Sequence, residues 1–222
     1  MQIVPSLLNK SKDEFFMQLN KLSTFYSRFQ IDICDGVFVP NQTIQIDDIF
    51  LAMKQWNNEA LNLSFDFHLM VKDYEKEIEK LERINKQFKI NTVFIHNQVI
   101  SDAMIFQQFR LGLVLDPQDR VENTIQKYKL DKIAAIQIMS VYPGFQGSSF
   151  LPEMLIKIQQ LRLSGYKSNI FIDGGINDKT IPVILKQKFQ PDVLCIGSYL
   201  TKAKDLESRQ QQIKQLWTHD KS

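Results

Sequence analysis

Glycine is scarce in this chain: its 222 residues include only eight, about half the roughly 7% usual for globular proteins. A chain that uses few glycines and then clusters them needs them there, for close backbone approach or positive φ. Five fall in three places: Gly144 with Gly147, Gly174 with Gly175, and Gly197. Cysteine is scarcer still. Cys34 and Cys195 lie far apart and form neither a disulfide framework nor a metal-type pair, which suits a reducing, cytoplasmic setting. No apolar run approaches the roughly 20 residues that span a bilayer. An excess of charge is missing too: 27 basic and 25 acidic residues leave a net charge of +2, scattered without a block of like sign. Nothing in that balance asks for nucleic acid or an anionic membrane as partner. The start, Met1-Gln2-Ile3-Val4-Pro5, has no basic region and no cleavage pattern, so no signal peptide is expected.

What is present is a sizeable core composition, 44% hydrophobic and 23% charged, as in a single globular domain. Short apolar, β-branched runs alternate with helical patterns. The predicted strands are Gln2–Leu7, Phe29–Ile33, Leu63–Leu69, Thr92–His96, Leu111–Leu115, Ala134–Met139, Asn169–Ile172 and Val193–Ile196. Between them, apolar spacings of three and four predict helices such as Asp13–Phe25, Tyr74–Ile84, Pro152–Leu163 and Ile181–Phe189. A last helix is predicted over Lys204–Trp217. Eight strand–helix units in this length point to an α/β fold, a single-domain (β/α)8 TIM barrel over residues 1–222, with a frayed tail at 218–222. An open doubly wound sheet is the alternative.

Barrel enzymes work at the C-terminal ends of their strands, and the polar residues predicted there are unusual. Asp32 and Asp173 each sit in an apolar strand, Phe29-Gln30-Ile31-Asp32-Ile33 and Ile170-Phe171-Ile172-Asp173. An inward carboxylate is costly unless paired, hydrogen-bonded or metal-bound. Strands two and seven stand well apart around a barrel. Their acids could therefore take a proton from one face of a substrate and return one to the other. Either alone could instead cap a strand end. His68 lies between apolar neighbours; alone it reads as a core residue, and beside two carboxylates as a metal ligand. The glycines after strands six, seven and eight offer unhindered N–H groups for a phosphate, with no lysine or arginine among them. Met70 and Met139, also at strand ends, read as core or as an apolar lid.

These segments, in this order, resemble the ribulose-phosphate 3-epimerase family over nearly the whole chain. They are Val4-Pro5-Ser6-Leu7, Ile31-Asp32-Ile33-Cys34-Asp35-Gly36-Val37-Phe38-Val39-Pro40-Asn41, Phe67-His68-Leu69-Met70, Met139-Ser140-Val141-Tyr142-Pro143-Gly144-Phe145, Ile172-Asp173-Gly174-Gly175 and Gly197-Ser198. The resemblance implies a ribulose-phosphate-binding barrel, a cytoplasmic, self-associating isomerase of the pentose phosphate route. Its substrates would be D-ribulose 5-phosphate and D-xylulose 5-phosphate. It implies that Asp32 and Asp173 form the acid–base pair and that Ser6 and His68 touch the substrate. Gly144, Phe145, Gln146, Gly147, Gly174, Gly175, Gly197 and Ser198 would bind it. One divalent ion (zinc, iron or manganese) would be held by Asp32, His68 and Asp173.

The chain departs from the family at three places. Gln30 stands where the family has its other metal histidine, so the ion is expected to be weakly held or absent. Cys34 replaces a methionine, as an inward cap or a substitute ligand. Gln146 replaces a glycine of the Gly-Phe-Gly-Gly loop. Gln30 also keeps two other functions open: epimerisation of another ketose phosphate, such as allulose 6-phosphate, or a barrel that only binds a sugar phosphate.

Overall fold

In the computed structural model, residues 1–55, 62–85, 88–100, 109–143 and 149–218 are described. Eight parallel strands close into a barrel in sequence order: β1 (Gln2–Leu7), β2 (Arg28–Cys34), β3 (Ser64–Met70), β4 (Lys89–His96), β5 (Leu111–Leu115), β6 (Ala135–Met139), β7 (Asn169–Asp173) and β8 (Val193–Ile196). Pairing of β1 with β8, Val4 opposite Cys195, closes it and excludes the open sheet. Around the barrel lie α1 (Lys12–Ser23), α2 (Ile46–Gln55), α3 (Tyr74–Ile84), α4 (Val121–Lys127), α5 (Ile156–Leu163), α6 (Ile181–Leu185), α7 (Ser198–Thr201) and α8 (Leu206–Thr218). Among the described residues, no helix is long and apolar enough to cross a membrane.

Local chemistry explains the helix starts. Ser11 caps α1 by accepting from the Glu14 N–H, and Glu14 reaches back to the Lys10 N–H at 2.9 Å, a reciprocal arrangement that satisfies orphan donors of the first turn. The buried stripe Phe15, Leu19 and Leu22 then faces the sheet. Asp73 caps α3 by accepting from the Lys76 N–H. Two predicted helices are shorter than their apolar spacing suggests. Residues Pro152–Leu155 form a 3-10 turn before α5, and α6 ends at Leu185 instead of Phe189. Of the tail predicted at 218–222, Thr218 belongs to α8; residues 219–222 lie outside the described set.

Strand alternation sorts side chains into two layers. Phe29, Ile31 and Ile33 of β2, Phe65, Phe67 and Leu69 of β3, and Ile170 and Ile172 of β7 face the helices in the main core. The alternate positions fill the barrel with a second apolar cluster that includes Val4, Phe94, Val114, Met139 and Phe171. Gly112 makes room there: a Cβ would fall 2.3 Å from the Phe94 ring and 2.8 Å from Thr92 Cγ2. Phe94 in turn packs edge-on against Phe171, with ring centroids 4.8 Å apart. The ring is wholly buried. Gly112→Ala is therefore expected to cost at least the ~1–3 kcal/mol typical of an overpacked core. A thermal melt indistinguishable from the parent's would refute that account.

Candidate active site

At the C-terminal end of the barrel, one cavity is lined by Ser6, Asp32, His68, Met70, Met139, Asp173, Gly174, Gly175, Gly197 and Ser198. The strand register puts them there. Asp32 stands beside His68 across β2 and β3, Met139 beside Asp173 across β6 and β7, and Ser6 beside Gln30 across β1 and β2. Gly144, Phe145, Gln146 and Gly147 lie outside the described residues.

The two aspartates are tied to one side chain. Gln30 is wholly buried, and its Nε2 donates to Asp32 Oδ1 at 2.9 Å and to Asp173 Oδ2 at 2.6 Å. Its Oε1 receives the Cys195 thiol at 3.1 Å. The opposite amide orientation would press a carbonyl against two carboxyl groups, so the donor set fixes this one. Asp32 also accepts from the Ser6 hydroxyl at 2.5 Å. Gln137, inward on β6, donates to Asp173 Oδ2 at 3.1 Å. Burial, and next the nearby charge of Asp32, raise the Asp173 pKa to about 7, where a carboxyl group can hold or release a proton near neutral pH.

His68 Nδ1 lies 3.2 Å from Asp32 Oδ1 and 3.7 Å from Asp173 Oδ2. Burial, the largest influence, disfavours its imidazolium, but the hydrogen bond and charge of Asp32, helped by Asp173 and Asp116, outweigh it and raise the pKa. His68 Nε2 points away from the cavity, to His96 Nε2 at 2.9 Å. His96 Nδ1 meets Asp116 Oδ2 at 2.8 Å. Burial holds the His96 pKa below its usual value, against the pull of Asp116.

One donor atom each from Asp32, His68 and Asp173 lies within 4.8 Å of the others. Ligands around one divalent ion at about 2.0–2.2 Å stand roughly 3–3.5 Å apart, so the trio fits such an ion. Gln30 presents nitrogen to this place and not oxygen; it would have to turn over to serve as a ligand. Cys34 does not join this trio. It packs against Val39 and Met70 and does not itself line the cavity, and burial pushes its thiol pKa up. Met70 and Met139 are both buried and both reach the cavity wall.

The paired glycines answer to the backbone as well as to any ligand. Gly174 and Gly175 have φ of 113° and 66°, and a Cβ on Gly174 would sit 2.5 Å from Val141 Cγ2. Asp35, part of the long motif after β2, accepts three backbone N–H groups, from Val37, Phe38 and Lys72, and so ties that loop to the end of β3.

Comparison with known proteins bears on the family and the fold. The profile of the Ribulose-phosphate 3 epimerase family matches residues 2–201. The ribulose-phosphate 3-epimerase of Helicobacter pylori is 31% identical over 221 residues, covering 92% of this chain and 93% of that protein. The Methanocaldococcus jannaschii protein of the same name is 29% identical, over 81% of this chain and 75% of its own. Among solved structures, 3-hexulose-6-phosphate synthase from Salmonella typhimurium superposes with a TM-score of 0.67 at 13% identity, covering 99% of this chain and all of that one, a likeness of fold. The chain belongs to the ribulose-phosphate 3-epimerase family.

Proposed function

We propose that this chain interconverts D-ribulose 5-phosphate and D-xylulose 5-phosphate by moving the proton on C3. The observation that carries this reading is the pair Asp32 and Asp173, contributed by β2 and β7, both lining the cavity and bridged by one buried Gln30 amide. A carbon next to a carbonyl gives up its proton to form a cis-enediolate. Inversion then needs a base on one face and an acid on the other. One carboxylate takes the proton and the other returns one, so the pair ends with its protonation states exchanged. Ser6, bonded to Asp32, and Gln30, bonded to both acids, keep the carboxyl groups aimed into the cavity. Met70 and Met139 give the reacting carbons an apolar wall.

Asp32, His68 and Asp173 would hold a divalent ion, zinc, iron or manganese, which supplies Lewis-acid stabilisation of negative charge on the substrate oxygens. Backbone N–H groups about Gly174, Gly175, Gly197 and Ser198, together with the 144–147 loop, receive the phosphate. The protein works on this small molecule in the cytoplasm, as one domain that self-associates. A rice relative, 28% identical over 82% of this chain, is named the cytoplasmic isoform.

Turnover with ribulose 5-phosphate and with allulose 6-phosphate, followed in deuterated water for exchange at C3, tests the reading. Exchange and inversion with the pentose phosphate are expected, and their absence would overturn it. Gly197 lines the cavity, and a valine side chain there would crowd the phosphate. Hydrogen bonds to a charged group contribute about 1.5–3 kcal/mol each, so Gly197→Val is expected to raise KM by about 10-fold or more. Free ribulose should be a poor substrate for the parent. Equal turnover of ribulose and its phosphate would end the cradle hypothesis.

A further inference from the structure

Behind the cavity lies a buried chain of groups that proton transfer at the two aspartates does not use. It runs from Asp116, just after β5, through His96 at the end of β4 to His68 on β3. All three are within 1% of complete burial. The His68 and His96 rings have centroids 5.0 Å apart and planes 21° apart. With their Nε2 atoms only 2.9 Å apart, the rings meet edge to edge in one hydrogen bond, not face to face. One of those two nitrogens must carry a hydrogen and the other must be bare.

Asp116 decides which. Its Oδ2 lies 2.8 Å from His96 Nδ1 and also accepts from Gln98 Nε2 at 2.9 Å. A carboxylate offers only lone pairs, so the hydrogen of His96 sits on Nδ1 and its Nε2 is bare. That bare nitrogen accepts from His68 Nε2–H. Asp116 is itself held in place. Its N–H donates to Asp119 Oδ2 at 2.8 Å, and Lys157 Nζ donates to its carbonyl at 2.6 Å. Phe38 packs on the His96 ring, with centroids 4.7 Å apart.

We propose that Asp116 and His96 are positioning residues that keep the hydrogen of neutral His68 on Nε2, so that its bare Nδ1 faces Asp32 and Asp173. The proposal deepens the reading of a cation held by those three residues and rests on it for its purpose, though not for its geometry. Nδ1 has two kinds of neighbour: Gln137 Nε2, a donor, at 3.3 Å, and Asp32 Oδ1, an acceptor, at 3.2 Å. Charged His68 donates to Asp32; neutral His68 accepts from Gln137. In both states Nε2 keeps its hydrogen, because His96 gives it nowhere else to go. The nitrogen that opens is always the one facing the acids.

The chain has three histidines, so imidazole 15N spectra are simple, and His96→Gln identifies the His96 signals. In the metal-free parent, neutral His68 is expected to show a protonated Nε2 and a bare Nδ1. Asp116→Leu removes the acceptor that holds the His96 hydrogen on Nδ1; His96 can then carry it on Nε2, and His68 moves its own to Nδ1, against Asp32. Zinc binding, titrated directly with zinc(II) against a chromophoric chelator, should then weaken by about 10–100-fold, the usual range for groups that orient a metal-binding histidine. His96→Gln places a carbonyl that can accept from His68 Nε2–H and should keep the parent tautomer and affinity; His96→Leu should not. A parent spectrum with neutral His68 protonated on Nδ1 would overturn the proposal. So would an Asp116→Leu variant with unchanged spectrum and unchanged zinc affinity. If the parent shows the expected tautomer yet binds no zinc, the tautomer proposal stands and the metal reading falls.

Discussion

Asp173→Asn is expected to reduce epimerisation by at least the ~10²–10⁴-fold that positioned acid–base groups contribute, while the protein folds normally. Asparagine is nearly isosteric with aspartate and its oxygen can still accept from Gln30 Nε2 and Gln137 Nε2, the two donors to Oδ2. What it cannot do is gain or lose a proton. Stability gives an independent check. Burial, then Asp32, raise the Asp173 pKa from 3.8 to about 7, so the folded chain keeps a proton that the unfolded chain has already released. The stabilisation from this protonated carboxyl is complete below about pH 4 and is lost as pH rises through about 7. The variant lacks that titration. In chelator, its melting temperature relative to the parent's should rise between pH 5 and pH 8, as the parent comes to bury a charge. Activity within about tenfold of the parent would sink the acid–base role of Asp173. A relative melting temperature flat with pH would contradict the raised pKa.

Much of this site is legible in the sequence because barrel strands impose a period of two. Asp32 stands to Ile31 and Ile33 as a polar break in an apolar run, and the same alternation that sends those isoleucines to the helices sends the acid inward. By that logic Gln137, between Ile136 and Ile138, carries the same signal, yet sequence reasoning passes over it. A neutral amide in a strand is a weak mark until its partner is known. That partner, Asp173, is 36 residues away, and the Gln30–Asp173 bond spans 143 residues. Asp116 and His96 are visible only as polar residues at strand ends. Their joint effect on His68 depends on which ring nitrogen faces which neighbour, and no spacing encodes that.

The glycines show the reverse case. Sequence clustering marks Gly174 and Gly175 as ligand contacts, but their positive φ and the nearness of Val141 and Phe150 already require glycine. The backbone alone would select these residues, so clustering overstates what they say about phosphate. Asp35-Gly36 behaves similarly: the conspicuous motif after β2 is in part a loop clamp built on three N–H groups. Helix ends are misjudged where apolar spacing outruns the helix. The pattern that predicts Ile181–Phe189 continues past Leu185, where Gln190 Nε2 bonds the Leu185 carbonyl at 2.6 Å and the chain turns towards β8.

Gln30→His is expected to tighten zinc by on the order of 100-fold or more, since it adds a metal-contacting group where outer-shell changes alone shift affinity by 10–100-fold. In the parent, Gln30 opposes the ion twice. Its NH2 group occupies the carboxylate oxygens that a cation needs, at 2.9 Å from Asp32 Oδ1 and 2.6 Å from Asp173 Oδ2. Its oxygen, the only atom that could ligate, is engaged by the Cys195 thiol at 3.1 Å. Bringing Gln30 into the ion's shell therefore means turning the amide over and breaking three contacts to gain one neutral, weak donor. Imidazole removes that competition and supplies a strong donor for zinc. The parent should accordingly favour harder ions such as manganese or magnesium, whereas the variant should favour zinc and gain activity when metal is limiting. Competition titrations with a chromophoric chelator read the affinities directly. The other case is a metal-free site, in which a Gln30 N–H leaves one of the aspartates and donates to the enediolate itself. The two cases separate cleanly. Full turnover by the exhaustively chelated parent, with no benefit from Gln30→His at any metal concentration, would assign Gln30 as the hydrogen-bond donor and remove the ion from this member of the family.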